Sequence, residues 1–132
     1  MPWPPEVDEV MRAHAARAFP EECCGALLAD RAGVVRARPV ENAAVDRRRG
    51  FLVSARDFLR VEAEAEALGL TVAGFYHSHP DGPAAPSQRD AAAAWPALWT
   101  VIIPVHAGVA QVPRAFRFDG ERFHLLTAPR GS

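Results

Sequence analysis

The chain has 132 residues, 49% hydrophobic and 23% charged, with a formal net charge of -1 at neutral pH. That length and balance suit one globular domain with a core of its own, and the near-neutral charge gives no reason to expect a nucleic acid or an anionic membrane as partner. No run approaches the roughly 20 apolar residues of a membrane-spanning helix. All 15 basic residues are arginine.

The opening MPWPPEVDEV is acidic and proline-rich, unlike a secretory signal. The only cysteines, Cys23 and Cys24, are adjacent. In extended chain they point to opposite faces, which disfavours a disulfide between them. A reduced, cytoplasmic setting is therefore expected.

From Glu6 to Phe19, Val7, Val10, Met11, His14, Ala15 and Ala18 recur at helical spacing, and Pro20 ends the helix they predict. His14 reads as a surface residue of that helix. Glu21 to Asp30 turns to small and aliphatic residues, a core strand. Asp30 to Gly33 then turns the chain into a second strand, Val34 to Val40, its hairpin partner. Glu41 to Gly50 is polar and irregular, a surface loop. Its arginines 47 to 49 read as solvated, with a docking patch for an acidic partner as the functional alternative. Phe51 to Val53 reads as a short strand. Ser54 follows as an N-cap with Asp57 completing a capping box, and the helix runs to about Leu68 on an apolar face of Phe58, Leu59, Val61, Ala65 and Leu68. Gly69 stands where a helix closes with a left-handed residue. The next strand begins at Thr71, so strand, helix and strand form a crossover compatible with parallel pairing.

That next strand leads into GFYHSHPDGPAAPSQRD, Gly74 to Asp90, the stretch with the most chemistry. Residues two apart in a strand share a face, so His77 and His79 present both imidazoles to one side. A turn with Pro80, Gly82, Pro83 and Pro86 brings Ser87 and Asp90 back on the first turn of a helix. Two histidines and a carboxylate give three ligands and leave one position open, the arrangement of a catalytic rather than a structural zinc. Such a site polarises water and lowers its pKa towards roughly 7, and a hydrolase then also needs a base and an oxyanion donor. Ser87 reads equally as oxyanion donor or as N-cap, two uses that one hydroxyl cannot fully serve together. Spacing leaves Glu21, Glu22, Glu41 and Asp81 open as the base.

The helix from Ser87 continues through Ala91 to Ala94 and stops at Pro96. Leu98 to Pro104 is the most strand-like segment and is expected to be central. Ala110 to Asp119 and Arg122 to Leu126 read as a hairpin around Asp119-Gly120, and Thr127 to Ser132 as a frayed tail. Tyr76, Trp95, Trp99 and Cys24 read as core, and His106 and His124 as surface or loop residues without a ligand partner.

The pattern His-x-His, seven residues beginning with proline, then Ser-x-x-Asp resembles the JAMM motif of the MPN+ (Mov34/PAD-1) zinc metalloproteases, and this chain matches it at each specified position. Short prokaryotic members carry an upstream Pro-x-Glu-x-Cys-Gly, which Pro20 to Gly25 fits with Glu22 as the glutamate. The resemblance implies an α/β fold over residues 1–132: a cytidine-deaminase-like mixed sheet flanked by helices, the JAB1/MPN fold. It implies Zn2+ on His77, His79 and Asp90, Glu22 as general acid/base and Ser87 as oxyanion donor. It also implies cleavage after the C-terminal Gly-Gly of a ubiquitin-like or sulfur-carrier protein, by a monomer or homodimer. The alternative is a catalytically inactive MPN-type scaffold. A nucleobase deaminase, on a related fold, lacks support because there is no Pro-Cys-x-x-Cys ligand pair.

Overall fold

The structure is a computed structural model that describes residues 3–94 and 98–126. The expected helix stop at Pro96, the core reading of Trp95 and the frayed tail from Thr127 to Ser132 lie outside those residues. In chain order the elements are α1 (Pro5–Ala18), β1 (Cys24–Asp30), β2 (Gly33–Val40), α2 (Ala55–Ala67), β3 (Thr71–Pro80), α3 (Gln88–Ala93), β4 (Trp99–His106), β5 (Val109–Ala110), β6 (Arg114–Phe118) and β7 (Phe123–Leu125). The strands form one mixed sheet in the order β2-β1-β3-β4-β6-β7, with β5 paired to β4. Among the described residues, no helix is long and apolar enough to cross a membrane.

Period-two alternation divides the strands between two cores. Leu27 of β1 and Tyr76 of β3 pack with Val7, Met11 and Ala15 of α1 and with Val101 and Ile103 of β4. Ala26 and Leu28 face the other way, towards Val61 and Ala65 of α2, together with Val72 and Phe75. Helices therefore cover both faces. Cys23 lies in the α1 core, while the Cys24 thiol turns towards the Glu41 carbonyl at 3.8 Å, so the pair diverges as expected. Burial pushes the two thiols up to about 11 and about 12, which makes them inert packing groups.

Two glycines allow the strands to approach. Gly25 lies opposite Tyr76 in the β1–β3 register, and a Cβ there would land in the tyrosine ring. Gly74 plays the same part against the Trp99 backbone, where β3 and β4 pair in parallel.

The structure corrects four expectations. Phe51 to Val53 forms no strand; it runs extended into Ser54, so α2 connects a loop to β3, and β3 pairs antiparallel with β1. The parallel crossover is instead β3–α3–β4. Ser54 Oγ does accept from Asp57 N at 3.1 Å, but the reciprocal half of that capping box is not formed. The expected strand from Ala110 breaks into β5 and β6 around Val112-Pro113, because proline cannot donate to a ladder. Finally, His14 is half-buried and functions as a partner: its Nδ1 sits 2.7 Å from the Tyr76 hydroxyl, which is itself fully buried and needs one.

Candidate metal centre

His77 and His79 project from the end of β3 on the α2 side of the sheet, while Tyr76 and Ser78 point to the α1 side. Ser78 is fully buried and anchors this end of the strand to the segment before β1. Its Oγ accepts from Cys23 N at 2.8 Å, and its own N–H donates to the Cys23 carbonyl at 3.1 Å. The chain then turns at Asp81, whose N–H donates to the Val105 carbonyl (2.6 Å) and whose Oδ1 accepts from Ala107 N (2.9 Å). This fastens the proline-rich loop to the end of β4. Asp81 is thereby occupied in a turn.

The loop returns Asp90 to the histidines. His77 Nε2 is 2.9 Å from Asp90 Oδ1, His79 Nε2 is 3.1 Å from Asp90 Oδ2, and the two Nε2 atoms are 3.1 Å apart. His77 and Asp90 are buried, and Phe51 stacks on the His77 ring at 4.3 Å and 17°. Glu22 is 9% exposed and completes the cluster, offering a ligand atom within 4.8 Å of both imidazoles. Glu21, its neighbour, is exposed.

These donors fit a metal ion. His79 Nδ1 lies 2.8 Å from the Pro83 carbonyl, which can only accept, so Nδ1 carries the proton and Nε2 of the neutral ring is a bare lone pair. That lone pair faces a carboxylate oxygen at 3.1 Å. Two acceptors so placed need a cation or a proton between them. Two imidazoles and a carboxylate converging in this way form a donor set that could hold a divalent cation and leave one position open.

Charges answer to the same geometry. Burial penalises the Asp90 charge, but the His77 and His79 imidazoles beside it and the hydrogen bond from Ser87 N outweigh it and hold the carboxyl well below the usual range. Burial lowers the His77 pKa; for His79 the effect of burial is overcome by Asp90 and by the Pro83 carbonyl, which raise it. Burial lifts Glu22 to about 7, opposed by His79 and Arg89 and assisted by Asp90. A carboxyl near 7 can both take and give a proton at neutral pH.

Ser87 is the N-cap of α3. Its Oγ accepts from Asp90 N (3.1 Å) while Asp90 Oδ2 accepts from Ser87 N (2.7 Å), a full capping box. The expected conflict between capping and donation does not arise. Capping uses a lone pair of the hydroxyl, and the O–H proton remains available. A cleft of about 230 Å³ runs beside Ser87 and Asp90, walled by Glu22, Arg49, Phe51 and Arg89. A second cavity of about 190 Å³, mostly apolar, is lined by His77 together with Phe51, Phe58, Phe75 and Trp99.

Sequence reasoning missed three participants here. Phe51 walls His77, Arg89 ties α3 to the 41–50 loop through the Arg49 carbonyl (2.9 Å), and Asn42 is buried beneath that loop. An asparagine just past a strand end was the available signal, since that side chain competes for backbone groups.

A mixed sheet flanked by helices, with two strand-end histidines and a helix-borne aspartate beside a buried glutamate, is the architecture of a JAB1/MPN-fold protein. The chain belongs to the prokaryotic homologues of the JAB domain, whose family model matches residues 4–119. A protein of Desulfitobacterium hafniense, solved in solution, superposes with a TM-score of 0.80 at 28% identity, over 94% of this chain and 88% of that one. A JAB1/MPN domain protein of Archaeoglobus fulgidus shares the fold at a TM-score of 0.62 and 16% identity, over 96% and 92% of the two chains.

By sequence, the chain is similar to tail tip assembly protein K of Escherichia phage N15, 40% identical over 65% of this chain and 32% of that protein. It is also similar to the "Probable TtuB-protein conjugate cleaving protease" of Thermus thermophilus, 39% identical over 62% and 55%. The desampylase of Haloferax volcanii is 35% identical over 64% and 63%. Each match spans less than two thirds of the relative's length.

Proposed function

We propose that this chain is a zinc-dependent metalloprotease that cleaves the peptide or isopeptide bond following the C-terminal Gly-Gly of a ubiquitin-like or sulfur-carrier protein. His77, His79 and Asp90 hold the zinc, Glu22 is the general acid/base and Ser87 is the oxyanion donor. The observation that carries this reading is the convergence of Glu22, from a distant part of the chain, on the two imidazoles within 4.8 Å. The names of the Thermus and Haloferax relatives support the substrate class.

Bound zinc supplies the polarisation of water and of the scissile carbonyl. The chain's own groups do the rest. The Glu22 carboxyl, near 7 and almost excluded from solvent, accepts the proton of the attacking water and passes it to the leaving amine. Ser87 keeps its hydroxyl proton for the oxygen on which negative charge develops. The proton on His79 Nδ1, fixed by the Pro83 carbonyl, keeps Nε2 in the ligating form.

The test uses fusions of TtuB, after which the Thermus relative is named, and of Gly-Gly-ending ubiquitin-like or sulfur-carrier proteins to a fluorescent reporter. Cleavage after Gly-Gly is expected from the wild-type protein and lost on chelation. Glu22→Ala should lower it about 10²–10⁴-fold, with circular dichroism unchanged. Full activity in Glu22→Ala would overturn the assignment. Purified protein with no bound zinc and no cleavage of any fusion would favour the scaffold alternative.

A further inference from the structure

Asn42 follows β2 in a polar loop, yet it is only 8% exposed. Its Nδ2 donates to the Glu22 carbonyl (2.9 Å) and to the Gly50 carbonyl (3.0 Å). Its Oδ1 accepts from Ala44 N (3.0 Å) and Leu52 N (3.1 Å). A primary amide has two N–H donors and two lone pairs, and all four are satisfied, each by backbone. An asparagine that only closed its own loop would bond within residues 42–52. This one also crosses to the segment before β1.

The crossing bond reaches the backbone of Glu22. The peptide N–H of Glu22 is held by the same loop, donating to the Arg47 carbonyl at 2.6 Å. On the other side, Gly50 and Leu52 flank Phe51, whose ring lies flat on the His77 imidazole. One buried amide thus links the backbone that carries the carboxylate to the segment that seats the aromatic wall of the metal ligand. We infer that Asn42 is a positioning residue for proton transfer, fixing the Glu22 backbone relative to His77 through the 50–52 segment. The inference rests on the reading of Glu22 as general base.

Proton transfer is sensitive to placement: a displacement of about 1 Å can cost about 10²-fold. Asn42→Asp keeps the size of the side chain but replaces the donor nitrogen with an oxygen facing the carbonyls of Glu22 and Gly50. On whichever reporter fusion the wild type cleaves, Asn42→Asp should lower kcat about 10–100-fold with KM within about twofold. The absorption spectrum of the Co2+-substituted protein, which reports His77, His79 and Asp90, should not change. Asn42→Ser retains one donor and one acceptor and should fall between; it decides the matter if Asn42→Asp fails to fold. Wild-type kcat in these variants beside an inactive Glu22→Ala would overturn the inference alone. A kcat loss accompanied by an altered Co2+ spectrum would also overturn it, by making Asn42 a general support of the centre. Activity in Glu22→Ala would instead remove the reading beneath it.

Discussion

Replacing Ser87 by alanine takes away two things from one oxygen: the lone pair that accepts from Asp90 N at 3.1 Å, and the O–H proton directed to no protein acceptor in the capping box. Glycine and threonine separate the two. Glycine lacks the hydroxyl but is itself a tolerated N-cap, and threonine keeps both uses. A serine cap is worth about 1 kcal/mol over alanine and only a few tenths over glycine. The reciprocal bond from Ser87 N to Asp90 Oδ2, at 2.7 Å, is main-chain on the Ser87 side and survives in all three variants. Ser87→Ala should therefore lower Tm by about 2–8 °C, and Ser87→Gly by well under half of that. Loss of an oxyanion donor costs about 10²–10³ in kcat. The two magnitudes rank the variants differently. In zinc-loaded protein, thermal melts should order them threonine, glycine, alanine, whereas cleavage of the reporter fusion should be retained in threonine and lost equally in the other two. If Ser87→Gly kept kcat within about threefold of wild type, the hydroxyl would be a cap only and the oxyanion assignment would be wrong.

Two further outcomes follow from the folded chain itself. Glu22 is raised from 4.5 to about 7, chiefly by burial, so the folded protein binds its proton more tightly than the unfolded chain does. The associated stability is fully present below pH 4.5 and is lost as pH rises through about 7. In chelator-treated protein, urea unfolding should show this decline in the wild type and a flatter profile in Glu22→Gln; parallel profiles would refute it. Gly25→Ala drives a methyl into the Tyr76 ring, an overpacking cost of about 1–3 kcal/mol, offset by about 0.4–1 kcal/mol from the stiffer unfolded chain. Urea midpoints should fall in Gly25→Ala and recover part of the loss in Gly25→Ala/Tyr76→Leu; an unchanged midpoint in the single variant would refute the close packing.

How much of this was legible beforehand depended on how local each cause is. The alternation of His77 and His79 with Tyr76 and Ser78 is a property of any strand, and the return of Ser87 and Asp90 after a proline-rich turn needs only short-range geometry. The central β4 and the Asp119-Gly120 hairpin were readable for the same reason, from a run of β-branched residues and a turn dipeptide. The choice between Glu21 and Glu22 was different. Both precede β1, and which carboxylate turns inward is decided by the Arg47 and Asn42 bonds to the Glu22 backbone, long-range contacts without periodicity. The resemblance to a known motif supplied that choice. Phe51 to Val53 had strand composition, but with its backbone held by Asn42 it serves the loop, so tertiary hydrogen bonding overrode propensity. His14 was misjudged because its partner, the Tyr76 hydroxyl, lies on another element.

The Asp90 carboxylate meets Ser87 N at 2.7 Å, His77 Nε2 at 2.9 Å and His79 Nε2 at 3.1 Å. It closes the first turn of α3, a helix of six residues, far shorter than one that persists alone in water. The carboxylate therefore winds the helix that delivers it. A cation shared by these three side chains would act as a clasp on local structure, and free metal concentration would set how often that turn opens. Amide exchange at Asp90 and Ala91 would thereby become a gauge of occupancy that can be read without any substrate.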